Sequence, residues 1–304
     1  MEFFQVEKLT DHVTRISGLI SEYLYLVEGS ERALLIDSGC GAGDIRSFVE
    51  SLTSLPLSVV LTHGHYDHAG GAGRFEEVWI NSVELKPTPI HYDRSQTFEK
   101  LKAWHPSLRV EDMSPDSVFC LDNESSGDDG FGAFPSDCSV SALDGSGKAS
   151  VLCHPLTAGM QFSLGGISVE AIPCPGHTPG TFCMLIVEDR LLLTGDACHS
   201  ISYLFFDNAL SIEEYLENLC ILKQQEERWD SLLLSHPIGA APKSMLDEVI
   251  HLCDEILKGA TDEVPYDYQG KPAFIAKAVD ENMLRRDGVY GNIIFRKDKL
   301  RKKH

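Results

Sequence analysis

Between Thr62 and Gly71 the chain reads THGHYDHAGG, which sets His63, His65, Asp67 and His68 within six positions. Imidazole and carboxylate together suit a borderline-soft divalent ion such as zinc. The segment follows an apolar run at residues 58–61, read as a short strand, so the four candidate ligands sit at a strand end. His63 and His65, two apart in a loop, can point to one side, while Asp67 and His68 turn toward a neighbouring point. Gly64, Gly70 and Gly71 are expected to let the backbone turn tightly around them. Isolated histidines such as His12, His105 and His251 carry no such signal and read as ordinary surface or core residues.

Four further segments share the same form, an apolar run ending in a turn that bears Asp or His. They are LLIDSG around Asp37, PGHTPG around His177, LLTGDA around Asp196 and LLSHP around His236. Cys174 and Cys198 lie near two of them and read as small core residues. His154, in CHPL, could approach such a site but is better read as core or surface.

Taken in order, these five segments resemble the metallo-β-lactamase superfamily, whose signature is His-x-His-x-Asp-His. The resemblance covers roughly residues 10–258, interrupted by an acidic stretch. It implies a four-layer αββα sandwich, with two sheets face to face, helices outside and the site at one edge. It also implies a ligand set: His63, His65 and His177 for one ion, Asp67, His68 and His236 for a second, and Asp196 bridging them with a water or hydroxide. Asp37 would stand behind the His loop and orient it. The implied cofactors are two Zn2+ per chain, with Mn2+ or Fe as alternatives. Two divalent ions sharing an oxygen lower the pKa of that water enough to supply hydroxide near neutral pH. The resemblance therefore points to a hydrolase acting on a small ester-like substrate. A thioester or lactone stands ahead of a phosphodiester, because no basic patch accompanies the motifs.

Departures from the family's patterns narrow the choice. An Asp at the bridging position, Asp196, is similar to the glyoxalase II, lactonase and phosphodiesterase branches. The best-known zinc β-lactamases use Cys there or lack a bridging carboxylate, so penicillin hydrolysis is not favoured. Flavodiiron relatives have Glu where this chain has His65. The lactonase branch places a Tyr three residues beyond the bridging Asp, and here that position is His199, with Tyr203 as the other hydrogen-bond donor nearby. Asp67, His199 and Tyr203 are thus the candidate catalytic residues. The basic glutathione-binding region of glyoxalase II is not recognisable in the C-terminal part. A non-catalytic metal-bound module and an iron-dependent oxidoreductase are the rivals from other classes, and the complete set of seven ligands argues against both.

The elements that must position these residues are legible in outline. Residues 33–36 and 58–61 read as buried strands, and 78–80 as a third. Ile45, Phe48, Val49 and Leu52 recur at helical spacing behind Asp44, a candidate cap. Residues 167–172 alternate as a half-buried strand, and 182–187 with 191–193 form a hairpin around Glu188-Asp189-Arg190. Ser211-Ile212-Glu213-Glu214 has the form of a capping box and opens a helix carrying Ile212, Tyr215, Leu216, Leu219 and Leu222. Residues 232–234 read as a strand, and 244–258 as a helix stopped by Gly259.

The 304 residues are read as one domain, with an insertion at about 110–150 and a C-terminal extension at about 260–304. Residues 110–150 hold nine acids and one base with no persistent period, which predicts a lid or a surface excursion. The basic end, 296–304, reads as a solvated tail. With 26 Lys+Arg against 46 Asp+Glu the formal net charge is −20, which disfavours nucleic acid and anionic membranes as partners and leaves a small-molecule substrate. No apolar run approaches the roughly 20 residues of a membrane span. Nine scattered cysteines without a Cys-x-x-Cys pair, and an N-terminus unlike a secretory signal, predict a cytoplasmic protein. A homodimer is compatible with all of this.

Overall fold

The computed structural model describes residues 1–85, 91–121, 149–268 and 270–302. Two compact units emerge, Met1–Ala171 and Ile172–His304.

The first unit contains β1 (Gln5–Lys8), β2 (Val13–Ser17), β3 (Tyr23–Glu28), β4 (Ala33–Ile36), α1 (Ile45–Leu52), β5 (Leu57–Val60) and α2 (Tyr66–Ala69). There follow β6 (Glu77–Ile80), α3 (Arg94–Trp104), β7 (Ser117–Leu121), β8 (Ala149–Pro155), β9 (Gln161–Ser163) and β10 (Ser168–Pro173), whose last two residues cross the boundary. Eight strands form one sheet in the order β1-β2-β3-β4-β5-β6-β8-β7. β1 to β4 form an antiparallel meander, and β4, β5, β6 and β8 pair in parallel. The parallel strands read as continuous apolar runs because both of their faces are covered; all four residues of β4 are buried. One core cluster joins Leu24, Leu26 and Leu35 to Ile45 and Val49 of α1. As the sequence predicts, the Asp44 side chain caps α1 by accepting from the Ser47 N–H at 3.2 Å.

Two regions of this unit depart from the sequence reading. α3 was not anticipated: only Thr97 and Leu101 are buried along it, so no 3.6-residue apolar period marks it. The acidic stretch is ordered at both ends, because β7 pairs in parallel with β8. That pairing runs through backbone groups, which leave no trace in a side-chain pattern. Residues 122–148, where the lid was expected, lie outside the described residues.

The second unit contains β11 (Phe182–Ile186), β12 (Leu191–Leu193), β13 (Ser202–Leu204), α4 (Ile212–Lys223), β14 (Ser231–Leu233), β15 (Ala240–Pro242), α5 (Met245–Lys258), β16 (Val264–Tyr268), β17 (Lys271–Ile275) and β18 (Ile293–Phe295). β11 and β12 form the expected hairpin, and β12 pairs in parallel with β14. Ser211 closes the expected capping box on α4: its Oγ accepts from the Glu214 N–H at 3.2 Å and its N–H donates to Glu214 Oε2 at 3.1 Å. α5 ends at Gly259 in the left-handed region, φ 68°. Both helices bury an apolar face in a core that includes Trp229, Leu232 and Phe295.

β16, β17 and β18 make a second sheet with β13, in the order β13-β18-β17-β16. Arg296 to Lys299 are therefore not the solvated tail expected of them. Lys299 Nζ donates to the carbonyl oxygens of Phe206 (2.7 Å), Asp207 (2.8 Å) and Ala209 (2.5 Å), and Arg296 pairs with Asp207 at 2.7 Å. Local sequence shows the charge of such residues but not the distant carbonyls they serve. Among the described residues, no helix is long and apolar enough to cross a membrane.

Candidate metal centre

In the first unit, parallel pairing of β4 and β5 aligns Ile36 with Val60, so their carboxyl ends deliver Asp37 and the Thr62–His68 segment to the same edge. Asp37 adopts φ 64°, a left-handed conformation that aspartate tolerates better than most residues. Its Oδ1 accepts from the Thr62 N–H at 2.7 Å, and the Thr62 hydroxyl donates to the same carboxylate at 2.9–3.0 Å. His68 Nδ1 lies 2.8 Å from Asp37 Oδ2. His63, His65 and His68 are buried, with the His63 ring 4.6 Å from that of His65 and 4.2 Å from that of His68. Half-buried Asp67 comes within 3.9 Å of His68 Nε2.

These bonds assign protons to the ring nitrogens. Nδ1 of His68 faces a carboxylate that can only accept, so it carries the hydrogen and Nε2 carries the lone pair. The Thr62 hydroxyl proton goes to Asp37, so Thr62 Oγ1 accepts from His63 Nδ1 at 3.2 Å, and the His63 lone pair again falls on Nε2. Metal-binding histidines have this arrangement, with the distal nitrogen held by a hydrogen bond.

The close-approach glycines act differently from the expectation. Gly70 and Gly71 sit at φ −64° and −85°, so no unusual turn demands them. A Cβ on Gly70 would lie 2.6 Å from the Cys40 carbonyl carbon, and this crowding excludes any larger residue. A residue that the motif reading missed also holds this loop. Glu84, 5% exposed, accepts the Gly64 N–H at 2.9 Å, and Gly64 separates His63 from His65. A single Glu twenty positions downstream carries no motif that would announce this.

In the second unit, the parallel pair β12 and β14 delivers Asp196 and His236 to one edge. Asp196 is approached from two sides: His177 Nε2 lies 3.3 Å from its Oδ2 and His236 Nε2 lies 3.4 Å from its Oδ1. His177 Nδ1 donates to the Tyr203 carbonyl oxygen at 2.8 Å, which puts its lone pair on Nε2 as well. So Tyr203 touches this cluster through its backbone, while its side chain stacks on Phe206 with ring centres 6.5 Å apart. Fully buried Tyr215 of α4 secures the segment after Asp196 by donating to the Ala197 carbonyl at 2.6 Å. The same ring explains the glycine of PGH, because a Cβ at Gly176 would come 2.2 Å from it.

His199 is brought to this cluster but with the opposite polarity. Ligand atoms of Asp196, His199 and His236 lie within 4.8 Å of one another. Yet His199 Nδ1 accepts the Ile201 N–H at 3.1 Å, so its Nε2 bears the hydrogen when the ring is neutral. Its Nε2 is then a hydrogen-bond donor rather than a ligand.

The other candidates fall outside both clusters. His154, on β8, contacts Glu77 Oε2 at 3.0 Å and stacks on Trp79 at 4.5 Å, which is core duty. Cys174 and Cys198 belong to the apolar core of the second unit, and burial pushes the Cys198 thiol up. The donor chemistry of the two clusters, buried imidazoles with oriented lone pairs beside carboxylates, fits metal.

Residues 18–228 match the family model described as the metallo-beta-lactamase superfamily, and the chain belongs to that superfamily. It is similar to an acyl-coenzyme A thioesterase, MBLAC2, of Gallus gallus, with 25% identity over 210 residues, covering 64% of this chain and 63% of that protein. A probable metallo-hydrolase of Streptococcus pyogenes is 27% identical over 182 residues, covering 60% of this chain and 64% of that one. The chain thus spans slightly less than two thirds of the length of these relatives. Among solved structures, a metallo-beta-lactamase from Pontibacter korlensis superimposes with a TM-score of 0.54 at 16% identity, covering 83% of this chain and 99% of that one. This likeness shows the fold, the four-layer αββα sandwich expected from the sequence.

Proposed function

We propose that the chain is a metal-dependent hydrolase that cleaves a thioester. The observation that carries this reading is the common orientation of His63, His68 and His177, each with Nδ1 engaged and the Nε2 lone pair presented for a metal. Family membership supports grouping His63, His65 and His177 around one ion, Asp67, His68 and His236 around a second, and Asp196 between them. When bound, two Zn2+ would supply hydroxide near neutral pH and polarise the substrate carbonyl. Asp37 and the Tyr203 carbonyl orient their histidines. The Nε2–H of His199 is suited to donate to the oxygen on which negative charge develops, with the Tyr203 hydroxyl as the alternative donor. Asp67, beside His68, would both hold metal and orient the attacking water.

The names of the relatives favour a thioester over a lactone or phosphodiester. The reading is tested by offering thioester, lactone, aryl phosphodiester and β-lactam substrates to zinc- and manganese-loaded protein. Thioester turnover that disappears on chelation is expected. Turnover of the phosphodiester or the β-lactam alone would overturn the reading.

A further inference from the structure

Residues on both sides of the end of the matched stretch, Tyr203, Phe205 and Phe206 within it and Tyr266 and Tyr268 beyond it, build an aromatic surface against one of the candidate ligands. Phe206 meets His177 edge to face, with ring centres 6.0 Å apart. Tyr203 stacks on Phe206 at 6.5 Å and 23°, and Tyr268 meets Phe206 edge-on at 5.9 Å and 87°. Fully buried Phe205 lies beneath, 4.3 Å from Phe206, 5.5 Å from Tyr268 and 6.0 Å from Tyr266. Tyr203, Phe206, Tyr266 and Tyr268 are only half-buried and flank the apolar cluster of Ile201, Ile275 and Ile294. Tyr266 and Tyr268 stand on β16, after the matched residues end at 228.

The basic C-terminal segment holds this surface in place. Lys299 fastens the carbonyls of Phe206, Asp207 and Ala209, and Asp207 is gripped by Lys271 at 3.0 Å and Arg296 at 2.7 Å. Three cations from the extension thus fix the turn that presents Phe206 to His177. A solvated tail would have no use for such a clamp.

We infer that the C-terminal extension completes the specificity element of the enzyme, and that the aromatic wall its Tyr266 and Tyr268 form with Tyr203 and Phe206 receives the apolar acyl group of the substrate. The inference rests on the thioester reading for the reaction, but the wall's chemistry is its own argument. A carbonyl held beside His177 has two substituents, the acyl chain and the thiol portion. Rings that offer apolar faces favour the acyl chain, since each methylene taken from water onto them contributes favourably. On the thiol side, the part of coenzyme A next to the carbonyl is the amide-bearing pantetheine arm, which gains less from rings than an alkyl chain, and its adenine, which can stack, lies at the far end of that arm.

The test compares octanoyl- with acetyl-coenzyme A hydrolysis, and octanoate with acetate binding by calorimetry, in wild type, Phe206→Leu and Tyr268→Ala. Phe274→Leu is the control, because Phe274 packs against Phe295 on the core side of the same sheet. Wild type is expected to prefer octanoyl over acetyl and octanoate over acetate by about tenfold or more. Each wall variant is expected to erase most of that preference at unchanged metal content, while Phe274→Leu keeps it. Equal affinity of wild type for octanoate and acetate, or a preference that survives both wall variants, would overturn the inference. Absence of any thioester turnover would overturn the thioester reading instead, and the carboxylate calorimetry would still decide the wall.

Discussion

Asp37 Oδ2 and His68 Nδ1 stand 2.8 Å apart, with both side chains almost wholly buried. The same carboxylate takes the Thr62 N–H and hydroxyl, so one residue at the end of β4 fixes the start of the ligand loop and the tautomer of its last histidine. Asp37→Ala removes the acceptor. Asp37→Asn can turn its amide N–H toward Nδ1, which shifts the hydrogen to Nε2 and reverses the ring's polarity. Both variants are expected to bind zinc about 10–100-fold more weakly, as measured by competition with a chelating dye. Unchanged affinity would remove Asp37 from the account.

Glu84 makes a parallel prediction on the other side of the loop. Glu84→Ala leaves the Gly64 N–H without its carboxylate and is expected to weaken metal binding on the order of tenfold. Glu84→Gln keeps an oxygen that can accept this N–H and should recover most of the loss. If the two variants behave alike in metal titrations, the charge and not the hydrogen bond is what matters.

His199 separates metal binding from turnover. Its Nδ1 accepts the Ile201 N–H, so its Nε2 donates and does not ligate. His199→Ala is therefore expected to keep its metal and lose about a hundredfold or more in kcat. Metal analysis alongside steady-state kinetics checks this, and full turnover in the variant would show the donor role to be wrong.

The C-terminal clamp carries a pH signature. Hydrogen bonding to Lys271, then to Arg296, holds the Asp207 carboxyl below the usual carboxylate range. A depressed folded-state pKa means stability that is present above the unfolded value of about 4 and lost as pH falls through the folded value. Asp207→Asn should therefore lower Tm slightly near neutrality and leave it unchanged once the wild-type carboxyl is protonated; the exposed pairs contribute no more than about 1 kcal/mol. Lys299→Met, which strips three carbonyls of a charged donor, should cost about 1–3 kcal/mol in chemical denaturation at neutral pH.

How much of this was legible depended on how local each signal was. His63, His65, Asp67 and His68 declare themselves within one turn of chain, and Asp37, His177, Asp196 and His236 each follow an apolar strand that a short window can see. Glu84, Thr62 and Tyr215 act on those residues through single long-range bonds, so no spacing marks them. The helix at Arg94–Trp104 lacked a buried stripe, and β7 was masked by the acidic composition that follows it. The basic end at 296–304 reads as a tail in sequence because the partners of Lys299 lie ninety residues earlier in the chain. His199 was placed at the site from sequence, but only the Ile201 hydrogen bond shows which of its nitrogens donates.

The proposed hydrolysis requires two divalent ions, for which His63, His65, Asp67, His68, His177, Asp196 and His236 are the candidate ligands. Metal content per chain, measured by mass spectrometry on purified protein and on Asp196→Ala, with thioester turnover followed on the same samples, tests it most directly. The account predicts two equivalents of zinc in the wild type, and loss of metal and activity together in the variant. A single iron per chain, or turnover that survives removal of all metal, would contradict it.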